Sequence, residues 1–108
     1  MSAPFHLTPQ ATEDLDAIWW FIQKDSAEAA DQVESEIIST CRRLAGYPSI
    51  GHRRRDITPL PVLFWTIPKY PNYIIVYRPQ TKPLQVIAIL HGSRNLKEIL
   101  KDRQPQKP

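Results

Sequence analysis

The residues best suited to chemistry stand at the ends of two apolar runs. Val86-Ile87-Ala88-Ile89-Leu90 stops at His91-Gly92-Ser93-Arg94-Asn95, and Tyr73-Ile74-Ile75-Val76-Tyr77 stops at Arg78. Cleaving RNA through its 2′-hydroxyl needs a base for that hydroxyl, an acid for the leaving oxygen and cations for the phosphorane. His91, Arg78 and Arg94 supply those groups if they converge on one phosphate, with the run Arg53-Arg54-Arg55 as further cationic support. In a plainer arrangement His91 bonds to backbone at a strand end and the arginines are solvated.

Other chemistries find less support. His6 and His52 have no carboxylate or second histidine at ligand spacing, and the single cysteine, Cys41, falls in a helical apolar stripe. No metal or other cofactor is expected. The three glycines, Gly46, Gly51 and Gly92, form no phosphate-cradling loop. Arg53 to Arg55 are followed by Asp56, so they read as a solvated patch or an acidic-partner contact more readily than as a nucleic-acid contact. Trp19 and Trp20 are adjacent on one helix and point about 100° apart, so both cannot face one core. Trp19 falls in the core stripe, leaving Trp20 or Phe21 either to anchor a partner or to pack against the neighbouring helix or loop.

A chain of 108 residues, 42% hydrophobic, supports one domain with one core. The boundaries drawn from sequence are a single domain over 1–100 and a disordered tail over 101–108. A formal charge of +3 and a pI near 9.2 suit an acidic partner without selecting one. One cysteine excludes an internal disulfide, the N-terminus lacks a signal-peptide pattern, and the longest apolar runs fall short of the roughly 20 residues needed to cross a bilayer. The expectation is a soluble, cytoplasmic protein that does not engage a membrane.

The elements that must position these residues follow from spacing. Phe5-His6-Leu7 alternates as an edge strand, and Thr8-Pro9 caps and opens a helix. Ala11, Leu15, Ile18, Trp19 and Ile22 give its inner face, with Glu13, Asp14, Asp16 and Gln23 on the other side. Asp25 or Ser26 starts a second helix carrying Ala30, Val33, Ile37, Cys41 and Leu44 inward, ended by Gly46-Tyr47-Pro48. The two helices predict an antiparallel hairpin. Pro48 to Pro61 read as a basic loop. Val62–Ile67, Tyr73–Tyr77 and Leu84–Leu90 then predict a three-strand meander, the last strand central and covered. Leu96, Ile99 and Leu100 allow a short final helix. The fold class expected is α+β, a two-helix hairpin on a mostly antiparallel sheet of about four strands in the order β-α-α-β-β-β.

That order, closed by His91-Gly92-x-Arg94, resembles the RelE/ParE superfamily of bacterial type II toxin-antitoxin toxins. The likeness spans about Phe5 to Leu100. It is carried by Thr8-Pro9-x-Ala11 with Asp14-Leu15-x-x-Ile18, Gly51-x-x-Arg54, Ile75-Val76-Tyr77-Arg78 and the Val86 to Arg94 segment. Within the superfamily the chain looks closer to the ParE branch. RelE-type ribosome-dependent mRNA endoribonucleases carry a tyrosine, or a His-Tyr pair, after the last strand, and here no tyrosine follows Tyr77. The resemblance implies a toxin of a plasmid-stabilisation system that poisons DNA gyrase without being an enzyme and is held inactive by a cognate antitoxin whose C-terminal segment wraps it. For an acidic antitoxin, Arg53, Arg54, Arg55 and Trp20 are the expected contacts. The alternative is a RelE-type nuclease using His91, Arg78 and Arg94.

Overall fold

The computed structural model describes residues 3–103. β1 (Phe5–Leu7) leads into α1 (Pro9–Gln23) and α2 (Ala27–Gly46), then β2 (Leu63–Thr66), β3 (Tyr73–Arg78), β4 (Leu84–His91) and α3 (Leu96–Lys101). The helix starts are set by side-chain caps. Thr8 accepts from the Ala11 N–H at 3.1 Å, Ser26 from Ala29 at 3.1 Å and Asn95 from Glu98 at 3.2 Å. Ser26, rather than Asp25, is therefore the second cap.

The sheet order is β1-β4-β3-β2, with β1 parallel to β4 and the other two pairings antiparallel. This is the expected α+β architecture. The hairpin of α1 and α2 covers one face, where Ala11, Leu15, Val33, Ile37 and Leu44 pack on Ile75, Tyr77, Val86 and Ile89. On the opposite face Leu96 and Leu100 of α3 and Val62 from the loop meet Val76, Ile87, Ala88 and Leu90.

The unbroken apolar character of β4 has a specific cause. Its register to β3 shifts between Val76↔Ala88 and Tyr77↔Val86, so β4 carries one extra residue there. Ile87 and Ala88 consequently both join the second face, and the strand is covered on both sides. Its other edge is only partly covered, because β1 pairs only with Leu84–Val86. Beyond that point, among the described residues, β4 has a strand neighbour on the β3 side alone.

Two expectations need correction. Asp14, placed on the outer side of the first helix, is buried against the β4 edge, its side chain 8% exposed. Arg103, placed in a disordered tail, is tied down by its guanidinium, so the C-terminal boundary drawn at residue 100 falls short. The rest of that tail, 104–108, lies outside the described residues.

Candidate functional site

His91 ends β4 and points to the helix-hairpin side, where a groove of about 380 Å³ opens between the strand end and α1. Ala17, Ile18 and Phe21 form its helical wall, Tyr73 and Ile89 its floor, and Ser93 and Arg94 its lip, with Asp14 at one end. The walls are apolar and the lip is cationic. Phe21 in the helical wall is 68% exposed; Trp20, next to it in the chain, is 62% exposed but points about 100° away and does not line the groove. Trp20 meets Trp19 edge to face at 5.1 Å. Trp19 itself is only half-buried, and its indole N–H donates to Asp31 of α2 at 2.8 Å, which ties the hairpin together.

The imidazole of His91 is held locally. Its Nδ1 accepts from the Ser93 backbone N–H at 3.1 Å and lies 2.7 Å from Ser93 Oγ. Since a backbone N–H can only donate, Nδ1 is the acceptor and the neutral ring carries its proton on Nε2. Tyr73, opposite His91 in the ladder, meets the ring edge to face at 5.4 Å. Burial raises the Tyr73 hydroxyl above its ordinary value, so it stays neutral.

The cations do not converge. Arg78 pairs with Gln85 whereas His91 pairs with Tyr73, which puts them at opposite ends of β3, about 17 Å apart along the strand at about 3.3 Å per residue. Arg78 is half-buried and its Nε is enclosed with no hydrogen-bond partner among the described residues. The basic loop lies beyond the other sheet edge. There His52 pairs its backbone with Phe64 of β2 and stacks on Trp65 at 6.2 Å. Arg53 and Arg55 are exposed, and Arg54 is bound through two hydrogen bonds to Asp56, at 3.0 and 2.7 Å. That bond holds Asp56 below the usual carboxylate range.

Of the residues singled out from sequence, the groove thus joins His91 and Arg94, and leaves Trp20, Arg78 and Arg53 to Arg55 outside it. Spacing missed Tyr73, Ser93, Asp14 and Arg103. Asp14 could have been found, because it stands three residues after Ala11 and four before Ile18, inside the apolar stripe. Tyr73 required the strand register.

A family model for the ParE toxin of the type II toxin-antitoxin system, parDE, matches residues 5–96. The chain belongs to this family. Among relatives, the "Putative toxin Y4kP" of Sinorhizobium fredii is 29% identical over 93 residues, covering 86% of this chain and 92% of that protein. A solved structure described as the chromosomal ParDE TA system from P. aeruginosa shares the fold with a TM-score of 0.66 at 23% identity, covering 81% of this chain and 92% of that one. The chain is therefore a ParE-type toxin of a type II toxin-antitoxin system, and every residue of the groove falls within the matched span.

Proposed function

We propose that this ParE-type toxin inhibits DNA gyrase by binding it, is not itself an enzyme, and is neutralised by a cognate antitoxin with an acidic C-terminal segment. The observation that carries the reading is the dispersal of the cations. A phosphate-cleaving centre needs its acid, base and guanidiniums within hydrogen-bond reach of one reacting group, and here Arg78 and His91 stand at opposite ends of the sheet. What gathers instead is an apolar groove, walled in part by the exposed Phe21, of the kind that buries a partner's side chains. The charge of +3 and the exposed Arg53, Arg55 and Arg94 suit an acidic antitoxin. The test is inhibition of gyrase supercoiling by purified toxin and its reversal by the antitoxin.

One observation favours a second reading, a RelE-type mRNA endoribonuclease. Tyr73 stands beside His91 in the groove that Arg94 borders, so a tyrosine absent after the last strand is supplied across the ladder. In that reading His91 acts as acid or base and Arg94 holds the phosphate. The two readings share the groove and differ in whether a bond is broken there.

A further inference from the structure

From Ile87 to His91, β4 has β3 on one side and, among the described residues, no strand on the other. Backbone groups on such an edge ordinarily bond to water or to an added strand. Here two side chains take them. Asp14 Oδ2 accepts from the Ile89 N–H at 3.0 Å, and Arg103 Nη1 donates to the Ile87 carbonyl at 3.0 Å. Thr8 Oγ1 also approaches that carbonyl, at 3.5 Å. Asp14 and Arg103 are joined to each other at 2.6 and 2.9 Å, with side chains 8% and 14% exposed. They therefore imitate a missing strand, one supplying its acceptor and the other its donor. They are 89 positions apart, so the contact folds the turn after α3 back across the sheet edge.

A buried ion pair adds little net stability compared with apolar packing of the same volume, because both ions lose their water. It is well suited to reversible closure, since the two charges can swing off the edge together and leave no lone charge buried. We propose that the Asp14–Arg103 pair is a latch over a strand-addition edge, and that the opened edge takes an extended acidic segment. Such a segment donates its own N–H to the Ile87 carbonyl and accepts from the Ile89 N–H, replacing both latch contacts. Alternate side chains then enter the groove against Ile18 and Phe21. Acidity is selected by Arg94, which is exposed on the lip and has no ion-pair partner among the described residues, and by the net charge of +3. The proposal rests on the antitoxin reading for its natural partner, and adds how that partner engages and what holds the site shut before it arrives.

The test uses a short alternating valine-glutamate peptide as the probe, titrated into isotope-labelled protein and followed by amide resonances. The double variant Asp14→Ala/Arg103→Ala opens the edge without leaving either charge unpaired, and the resonances of Ile75 and Val76 report whether its core stays folded. Asp14→Asn/Arg103→Gln serves as the milder variant should the first lose its core. The latch requires the open variant to bind the peptide at least tenfold more tightly than the parent, with shifts centred on Ile87 to His91, and to bind a valine-lysine peptide more weakly than the acidic one. Equal binding by parent and variant, or shifts that avoid β4, would overturn it. Because no antitoxin is present, failure here leaves the antitoxin reading standing, whereas an antitoxin that fails to bind overturns that reading and not the latch.

Discussion

Tyr73 and His91 stand opposite each other in the β3–β4 ladder, and their rings meet edge to face with centroids 5.4 Å apart. Aromatic pairs of this geometry contribute about 0.5–1.5 kcal/mol beyond their buried area. A double-mutant cycle with Tyr73→Ala and His91→Ala, read by urea unfolding, should show coupling of that size. The same cycle between Arg78→Ala and His91→Ala should be additive to within about 0.5 kcal/mol, as expected for residues without shared partners.

Trp20 and Phe21 are large, apolar and more than half exposed. Replacing both by alanine should change unfolding free energy by less than about 0.5 kcal/mol per site, while weakening antitoxin binding by tenfold or more, about 1.4 kcal/mol. Calorimetric titration beside a urea melt separates the two effects. Lost stability with unchanged binding would assign these side chains to packing instead.

Tyr77 bridges strand and loop from inside the core. Its hydroxyl donates to the Pro48 carbonyl at 2.7 Å and accepts from the Gly51 N–H at 3.0 Å. Tyr77→Phe leaves both backbone groups short of a partner and should cost about 1–3 kcal/mol in a urea melt. Gly51→Ala tests the same joint from the other side, because an added Cβ would stand 2.6 Å from the Tyr77 hydroxyl and 2.9 Å from Leu63 Cβ. Overpacking of this kind costs about 1–3 kcal/mol.

Much of this arrangement was readable from residue order, and the exceptions have identifiable causes. Thr8-Pro9, the stripe from Ala11 to Ile22, and Ser26 specify the helix starts and inner faces because capping and helical period are local properties. The β-branched runs specify three strands for the same reason. Pairing is not local. The register that sets Tyr73 beside His91, and so separates Arg78 from it, depends on the turn between β3 and β4 and on the extra residue in β4. Nor could a single arginine after α3 announce that it reaches back to Asp14. Thus the fold was legible, whereas residue order alone did not say that His91 and Arg94 border one groove while Arg78 stands at the other end of β3.

Cys41 gives the fold an alkaline limit. Burial pushes its thiol from 9.0 up to about 12, so the unfolded chain releases this proton at lower pH than the folded one. The associated stability is complete below pH 9 and declines as pH rises toward 12, at up to about 1.4 kcal/mol per pH unit. Unfolding free energy measured between pH 8.5 and about 10.5 should fall more steeply for the parent than for Cys41→Ala. Parallel slopes would show that the thiol ionises equally in both states. Tyr77, raised by its own burial, adds a further loss above pH 10 that both proteins share.

The most direct measurement of whether this ParE-type toxin acts by binding or by cutting is a paired assay on one purified preparation, with gyrase supercoiling in one arm and ribosome-dependent mRNA cleavage in the other. The expected result is dose-dependent loss of supercoiling, relieved by antitoxin, with mRNA left intact. Cleavage of mRNA that His91→Ala abolishes, with supercoiling untouched, would contradict the proposal and establish the groove as a nuclease centre.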